Sequence, residues 1–351
     1  MHNCNVRYLD VDTAKKISKI GLGTWQFGSG EWGYGKPYAK REAYAIVRRA
    51  LELGVTFFDT AEIYGCGRSE RILGRALGED RESVILATKI FPVVPGAWLV
   101  RRRAIASAKR LEAPRLDLYQ THWPNPLVPD SSLMRGLRSL QRARLVGEVG
   151  VSNYSLQQWR GAEEALRGRV LSNQVGYSLV DRSPELELLP YAESHGRVII
   201  AFSPLAQGLL SGRYHEVGQH LNRVRTGSAL FRPENLRRTA TLITKLREVA
   251  DAHSATPAQI ALAWAIYSPA VVAIPGASSV AQLESNVTAA EINLTDDEYQ
   301  ALSAASASFR PTSASGASLH RKLSELKHSA KGGWYVTKTI WHDFKRDGDV
   351  L

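Results

Sequence analysis

Short apolar runs alternate with longer helical patterns along most of this chain, and this alternation constrains the fold more than any other feature. The runs span residues 17–22, 55–58, 83–88, 116–120, 148–151, 170–175, 198–202 and 271–274. Each run predicts a strand, and each is followed by apolar residues at helical spacing, as in 42–53 and 156–167. Because the runs lack polar alternation, we expect both faces of every strand to be buried, as in a parallel sheet.

Repeated strand–helix units of this kind predict an α/β protein with a closed parallel barrel, the (β/α)8 or TIM barrel. The alternative is an open doubly wound sheet, which normally carries a glycine-rich phosphate turn after its first strand. Here Gly21 and Gly23 are followed by Thr24, Trp25 and Gln26, so the third glycine of that turn is missing. The barrel is therefore the favoured architecture.

The C-terminal stretch departs from the repeating pattern. A small, polar patch at 313–318 leads into a basic segment that contains Trp334, Tyr335, Trp341 and Phe344. These aromatic residues predict a tail that packs on the barrel or on a partner subunit, unlike a low-complexity end. We therefore divide the chain into a barrel domain of residues 1–310 and a C-terminal extension of residues 311–351.

The charge of the chain limits its partners. A formal net charge of +11 would suit nucleic acid, a membrane surface or a phosphorylated cofactor. The basic residues are dispersed, and their short clusters lack the interleaved aromatic residues of a nucleic-acid platform, so we expect no nucleic-acid partner. The oligomeric state stays open between a monomer and a homo-oligomer.

The distribution of apolar and sulfur-containing residues bears on location. Residues 255–283 carry no charge and are long enough to span a bilayer, but three prolines divide them. We expect a buried helix followed by a strand there, and no membrane contact. Two cysteines without CxxC spacing and an N-terminus without a signal-peptide pattern predict a cytoplasmic protein.

Polar residues with complementary chemistry follow three successive predicted strands. Asp59 and Tyr64 follow the second strand, Lys89 the third and His122 the fourth. In barrels of this kind, reactive residues come from the carboxyl ends of the strands. Each residue also has a structural interpretation, since Asp59 and Lys89 could form an ordinary buried ion pair and His122 could be a core histidine. Their joint position at the strand ends favours the catalytic interpretation.

These four residue types suit the reduction of a carbonyl group, which needs a hydride at carbon and a proton at oxygen. A tyrosine hydroxyl can supply the proton, although its ordinary pKa is about 10. We expect Lys89 to lower the pKa of Tyr64 by stabilising the phenolate, and Asp59 to keep that lysine charged and oriented. His122 would orient the substrate oxygen or relay the proton.

The chain resembles the aldo-keto reductase family over residues 7–305. The matching stretches, all in the family's order, are GLGTW at 21–25, GVTFFDTAEIYG at 54–65, ATK at 87–89, DLYQTHW at 117–123, GVSNY at 150–154, SPLAQG at 203–208 and IPGAS at 274–278. The resemblance implies NAD(P)H-dependent reduction of aldehyde or ketone carbonyls to alcohols, with Asp59, Tyr64, Lys89 and His122 as the catalytic tetrad and Tyr64 as the proton donor. It also implies a substrate pocket lined by Trp25, Trp32, Tyr64, His122 and Trp123.

The resemblance further implies a set of cofactor contacts. Ser152, Asn153 and Gln174 would hold the nicotinamide carboxamide, and Phe202 would stack on the nicotinamide ring. The full set of implied contacts is Gly23, Thr24, Trp25, Asp59, Ser152, Asn153, Gln174, Phe202, Ser203, Pro204, Leu205, Ala206, Gly208, Leu209, Ser211, Arg213, Ile274, Gly276, Ser278, Gln282 and Asn286.

One departure from the family concerns the choice of cofactor. Many members place a lysine or arginine near positions 276–282 to meet the 2′-phosphate of NADP, and this chain has no charged residue there. NADPH is still expected from family habit, NAD stays open, and Arg223 or Arg225 could supply the missing charge.

Two other functions are compatible with a barrel of this type. The first is a cofactor-binding regulatory or scaffold subunit of the potassium-channel β type with little turnover, because those relatives keep the tetrad. The second, a metal-dependent hydrolase, is disfavoured because no His-x-His pair or carboxylate cluster follows the strands, so we expect no metal site.

Overall fold

A computed structural model of the protein describes residues 7–28, 37–92, 96–216, 219–307 and 309. Its eight strands are β1 (Leu22–Gly23), β2 (Phe57–Asp59), β3 (Ile85–Ile90), β4 (Leu116–Thr121), β5 (Val146–Ser152), β6 (Val170–Gly176), β7 (Val198–Phe202) and β8 (Val271–Ala273). All are parallel and follow one another in sequence order. Parallel bridges from Ile20 to Ala273 and from Gly23 to Gly276 join β8 to β1. The predicted (β/α)8 barrel is confirmed.

Helices connect the strands and cover the outside of the sheet. They are α1 (Trp25–Gly28), α2 (Pro37–Glu52), α3 (Arg68–Leu77), α4 (Ala97–Arg110), α5 (Asp130–Arg142), α6 (Leu156–Leu166), α7 (Leu188–His195), α8 (Arg223–Thr226), α9 (Pro233–Ala252), α10 (Pro257–Ala265), α11 (Val280–Thr288) and α12 (Asp296–Ala307). Neighbouring helices from α2 to α6 pack side by side, and α11 packs on α2. The N-termini of two helices follow from the local sequence, because Ser155 and Thr256 form capping boxes at α6 and α10.

The first strand is much shorter than the predicted run of residues 17–22. The beginning of that run pairs instead with the N-terminal residues, through an antiparallel bridge between Tyr8 and Ser18. Backbone N–H groups of Leu9 and Lys19 donate to the carbonyls of Ile17 and Arg7 in the same hairpin. The apolar pattern was correctly identified as buried, but its backbone partners come from a hairpin that the alternation alone does not predict.

The core has two parts, inside and outside the sheet. Inside the barrel lie Phe57, Ile85, Ala87, Leu118, Leu171, Val198, Ile200, Val272 and Ile274, with Leu9 and Ile17 of the hairpin closing one end. A larger apolar cluster fills the space between the strands and the helices. Each fully buried aliphatic side chain of this kind stabilises the fold by roughly 1.5–3 kcal/mol. Burial on both faces explains why the strands read as uninterrupted apolar runs.

The uncharged stretch 255–283 forms the buried helix and strand expected of it. Residues from Ile260 to Ala265 in α10 are all buried, and β8 is buried throughout. Within the described ranges, no helix combines the length and apolar character needed to cross a membrane. The predicted tail of residues 311–351 and Trp32 of the predicted pocket lie outside the described residues.

Candidate active site

The carboxyl ends of β2, β3 and β4 bring the four predicted catalytic residues together. Asp59 is the last residue of β2, Lys89 lies near the end of β3, and His122 directly follows β4. The strand register pairs Asp59 with Ala87, and Lys89 with Gln120. Parallel pairing in this register therefore places groups from three strands at one end of the barrel.

The Lys89 ammonium is the centre of the site. Its Nζ donates to Asp59 Oδ1 at 2.6 Å and to the Thr60 carbonyl at 2.8 Å. The same nitrogen lies 3.3 Å from the Tyr64 hydroxyl and 5.0 Å from the centroid of the Tyr64 ring. Lys89 is 1% exposed and Asp59 is 2% exposed. Because both charges are buried, water screens their electrostatic interaction with the Tyr64 hydroxyl only weakly.

Burial and neighbouring charges determine the protonation of Lys89 and Tyr64. Burial alone would lower the pKa of Lys89, but the Asp59 carboxylate and the Tyr64 hydroxyl together raise it above its usual value. Burial raises the pKa of the Tyr64 phenol, and the Lys89 ammonium opposes that rise. Lys89 lowers the pKa of Tyr64, as predicted, but burial raises that pKa by more. The prediction of a lowered Tyr64 pKa is therefore wrong for the protein alone. The phenol therefore keeps its proton at neutral pH, as a proton donor must.

The His122 ring is held between two aromatic rings. It meets Tyr64 edge-on, with ring centroids 5.7 Å apart, and it meets Phe91 in a similar way at 6.0 Å. Its backbone N–H donates to the Ile90 carbonyl at 2.9 Å, and Asn153 Nδ2 donates to its carbonyl at 3.2 Å. The imidazole is thus held against the edge of the Tyr64 ring, at the same end of the barrel as Lys89.

The second oxygen of the Asp59 carboxylate is bound by two buried amides. Gln174 Nε2 donates to Oδ2 at 2.8 Å and Gln120 Nε2 at 3.3 Å. Gln120 is missing from the predicted site, although a polar residue in a buried strand, two positions before His122, is a signal that could have found it. Gln174 was predicted only to hold the nicotinamide. Its amide nitrogen also stabilises the ionised carboxylate of Asp59.

The predicted carboxamide-binding residues lie together at the ends of β5 and β6. Ser152 pairs with Gln174 in the strand register, and its Oγ donates to the Gln174 carbonyl at 2.8 Å. Asn153 has a positive φ of 63° and donates through Nδ2 to Ser152 Oγ at 2.9 Å. Positive φ is uncommon for residues other than glycine, although asparagine adopts it more readily than most, and such backbone conformations concentrate at functional sites.

Thr24 supports the site through hydrogen bonds to the backbone of Asp59 and to Ser69. Its hydroxyl donates to the Asp59 carbonyl at 2.9 Å and lies 2.8 Å from Ser69 Oγ. Its side chain is fully buried. Trp25, which begins the short helix α1, is 46% exposed, and Trp123 beside His122 is partly exposed. Both indoles therefore keep part of their surface exposed, whereas the Thr24 hydroxyl is buried and bonded to the protein.

The loop after β7 has an unusual backbone. Ser203, Ala206, Gln207 and Gly208 have φ values of 50°, 48°, 58° and 93°. The N–H groups of Ala206 and Gly208 donate within the loop, to the carbonyls of Ser203 and Leu205 at 2.8 Å and 2.9 Å. The side chains of Pro204, Ala206 and Leu209 are buried, so only their backbone could meet a ligand.

Cationic side chains lie beside this loop. Arg225 Nε donates to the Gln207 carbonyl at 2.9 Å, and its guanidinium lies 4.9 Å from the centroid of the Tyr214 ring. Arg213 is exposed and donates through Nε to Gln219 at 2.9 Å. The two arginine side chains supply positive charge beside this loop, and that charge fits the pyrophosphate of a dinucleotide.

The predicted adenosine-binding residues form one turn at the start of α11. Ser278 and Gln282 are linked by a 2.8 Å bond from the Ser278 N–H to Gln282 Oε1. Asn286 Nδ2 donates to the Gly276 carbonyl at 3.4 Å, and both Gly276 and Ser278 are exposed. Ile274 lies in the barrel interior. The turn is open and uncharged, which fits an adenosine but supplies no cation of its own for a 2′-phosphate.

The site gathers a single carboxylate, a lysine, a tyrosine and a histidine. Across the ranges that the structure describes, no group of three or more His, Cys, Asp or Glu residues could hold a metal ion. The arrangement suits proton transfer beside a bound dinucleotide.

Comparisons with known proteins agree with this chemistry. The model of the Aldo/keto reductase family matches residues 19–307. An oxidoreductase of Mycobacterium bovis is 54% identical over 88% of this chain and 95% of its own length. The methylglyoxal reductase YeaE of Escherichia coli is 31% identical over 78% of this chain and 88% of its own length.

A solved structure shares the fold as well as part of the sequence. The aldo/keto reductase from Klebsiella pneumoniae in complex with NADP and acetate superimposes with a TM-score of 0.69 at 28% identity, covering 85% of this chain and 94% of that one. The chain therefore belongs to the aldo/keto reductase family of oxidoreductases.

Proposed function

We propose that this protein reduces aldehyde or ketone carbonyls to alcohols with NADPH, and that Tyr64 donates the proton to the carbonyl oxygen. The observation that carries the proposal is the contact of Lys89 Nζ with both the Asp59 carboxylate and the Tyr64 hydroxyl in a buried site. A partly buried phenol beside a charged ammonium can release a proton, because the ammonium stabilises the resulting phenolate.

Each residue of the tetrad has one task in this scheme. Tyr64 holds the proton and delivers it to the substrate oxygen as negative charge develops there. Lys89 stabilises the resulting phenolate, and Asp59 keeps Lys89 protonated through the bond at 2.6 Å. His122, 5.7 Å from Tyr64 between ring centroids, orients the carbonyl oxygen toward the phenol. The reduced nicotinamide, when bound, supplies the hydride for the carbonyl carbon.

The residues at the barrel mouth fit the cofactor in three groups. Ser152, Asn153 and Gln174 would hold the nicotinamide end, the loop 203–211 with Arg213 and Arg225 the pyrophosphate, and the turn 276–286 the adenosine. The relative from Klebsiella pneumoniae, crystallised with NADP, supports a nicotinamide cofactor for this chain. NADPH is the first choice on this basis. The uncharged turn at 276–282 makes NADH the competing cofactor.

The substrate is proposed as a small carbonyl compound. The related methylglyoxal reductase supports the inclusion of short dicarbonyls, and the partly exposed Trp25 and Trp123 would accept aromatic aldehydes. The test follows the loss of reduced-cofactor absorbance with methylglyoxal, benzaldehyde and an aliphatic aldehyde, using NADPH and NADH in parallel.

A pair of matched variants makes this test specific. Tyr64→Phe removes the catalytic hydroxyl, whereas Tyr267→Phe removes a hydroxyl that bonds Asp296 on the surface. We expect Tyr64→Phe to lose about 10²- to 10⁴-fold in kcat, and Tyr267→Phe to match wild type. Tight cofactor binding by wild type without any turnover would overturn the proposal and favour a regulatory role.

A further inference from the structure

Two buried glutamate–arginine pairs lie behind the strand that carries Lys89. Glu62 follows β2 and pairs with Arg103 of α4, while Glu70 of α3 pairs with Arg110 at the end of α4. The four side chains are between 0% and 5% exposed. Pairs buried to this degree are rare, because each charge must give up its water.

The first pair is bonded to the backbone two residues after Lys89. Glu62 Oε1 accepts the Phe91 N–H at 2.7 Å and also a bond from Arg103 Nη2. Glu62 Oε2 accepts from Arg103 Nε at 3.1 Å. The Phe91 ring in turn packs against the ring of His122. Glu62 therefore reaches His122 through Phe91.

The second pair is bonded to the residue just before Lys89. Glu70 Oε1 accepts from the Thr88 hydroxyl at 2.7 Å, and Glu70 Oε2 accepts from Arg110 Nε at 2.6 Å. Arg110 also donates to Ser107 within α4 at 3.0 Å. The arginine fixes the carboxylate, and the carboxylate fixes the side chain next to Lys89. Glu70 therefore reaches Lys89 through Thr88.

Stability alone gives little reason for these pairs, because a well-packed apolar pair of similar volume often folds as well as a buried ion pair. What an apolar replacement cannot do is accept the bonds from Thr88 and Phe91. Together these bonds hold both ends of the segment 88–91, which contains Lys89 and packs against His122.

We propose that Glu62–Arg103 and Glu70–Arg110 are positioning residues that fix the segment 88–91, so that Lys89 and His122 keep their places around the Tyr64 hydroxyl. This inference rests on the proposed function. Loss of an anchor displaces the segment by a fraction of an ångström to about one ångström, a misplacement that can lower kcat by about 10- to 100-fold. KM should change little, because neither pair belongs to the residues proposed to hold the cofactor or the substrate.

The first test replaces the Glu62–Arg103 pair in two ways that differ only in the acceptor. Glu62→Gln with Arg103→Met keeps an amide oxygen for the Phe91 N–H and leaves no unpaired charge. Glu62→Leu with Arg103→Met removes the acceptor as well. We expect the glutamine version to stay within threefold of the wild-type kcat and the leucine version to lose at least tenfold, with KM within twofold in both. Equal kcat values in the two versions would overturn the role of Glu62.

A second comparison leaves both ion pairs intact. Thr88→Val removes the hydroxyl that bonds Glu70, and Thr88→Ser keeps it as the matched control. We expect Thr88→Val alone to lower kcat, and to move the pH midpoint of alcohol oxidation upward, because a displaced Lys89 stabilises the Tyr64 phenolate less. An unchanged midpoint and kcat in Thr88→Val would overturn the role of Glu70.

A readout without turnover separates this inference from the proposed function. In the protein with oxidised cofactor, the His122 ring signals in ¹H–¹⁵N spectra should shift in the leucine version and coincide with wild type in the glutamine version. Coincident signals in both versions would overturn the inference. If wild type reduces no carbonyl while these shifts occur, the proposed function fails and the positioning role of Glu62 stands.

Discussion

The Lys89 ammonium lies 2.6 Å from the Asp59 carboxylate, and both side chains are almost completely buried. Burial makes each charge dependent on the other, because neither can be solvated by water. The same ammonium contacts the Tyr64 hydroxyl, so the ion pair connects the stability of the barrel mouth to its proposed chemistry.

Asp59→Asn should therefore harm stability and activity together. The variant leaves Lys89 buried without a counter-charge, which we expect to lower the free energy of unfolding by about 3–5 kcal/mol. A loss of at least about 10²-fold in kcat should follow, since the lysine loses its proton and no longer supports Tyr64. Urea unfolding and steady-state kinetics measure the two effects. Asp10→Asn, at an exposed position, is the control and should stay within about 0.5 kcal/mol of wild type.

The pH dependence of carbonyl reduction follows from the direction of the Tyr64 shift. Burial raises the pKa of this phenol above its ordinary value of about 10, against the opposing effect of Lys89. The protonated form is the proton donor, so the alkaline loss of kcat/KM should lie above pH 10. A profile of kcat/KM from pH 6 to 10.5 should therefore stay level up to about pH 10. Cofactor binding, measured over the same pH range, is the control. A fall in kcat/KM that is centred below pH 9, while cofactor binding is unchanged, would contradict this prediction.

A second titrating group lies at the other end of the barrel. Lys19 is buried and donates to the carbonyls of Ile266 and Ser268. Burial and, to a smaller extent, the nearby Arg7 guanidinium lower the pKa of Lys19 to about 7, against the opposing effect of Glu193. Between pH 7 and the ordinary value of about 10.4, the unfolded chain binds a proton that the folded chain has released. The free energy of unfolding should rise with pH in that window.

Substitution of this lysine makes the prediction measurable. Lys19→Met should remove a slope of up to about 1.4 kcal/mol per pH unit from the urea-unfolding free energy between pH 7 and 9. Lys16→Met, at a neighbouring exposed position, should keep the wild-type slope. Retention of the full slope in Lys19→Met would show that another group causes it.

The cofactor preference should respond to charge in the turn before α11. Ser278 is exposed, and no residue from 276 to 282 carries a charge. Ser278→Arg should shift the NADPH/NADH ratio of kcat/KM toward NADPH by about 10-fold or more, because a charge-assisted bond to a phosphate is among the stronger hydrogen bonds. Ser278→Gln has a long but uncharged side chain and serves as the control. A ratio that moves equally in both variants would exclude this position as the 2′-phosphate contact.

The sequence predicts well those site residues that lie at the ends of strands. Asp59, Lys89 and His122 follow or end apolar runs, and parallel strands bring such positions to one edge whatever the connecting helices do. Tyr64 follows its strand by only five positions along the chain and stays near that edge. Local pattern and topology are therefore sufficient to place these four residues.

The supporting residues could not be predicted in the same way. Glu62 meets Arg103, and Gln174 meets Asp59, only because distant elements pack together. The sign of the Tyr64 shift also depends on burial, which the motif does not specify. The short first strand has the same origin, since residues 17–19 bond to an N-terminal hairpin. Contacts between distant segments, and the loss of solvent that they cause, decide all of these features.

The central claim is direct hydride transfer to a carbonyl carbon with Tyr64 as the proton donor. It is tested most directly by reducing a ketone with NADPH that carries deuterium at both C4 positions, in ordinary water, with wild type and Tyr64→Phe side by side. The account predicts an alcohol with one deuterium on the carbinol carbon in wild type, and a loss of turnover of about 10²-fold or more in Tyr64→Phe. A product without deuterium on that carbon, or a Tyr64→Phe variant as fast as wild type, would contradict it.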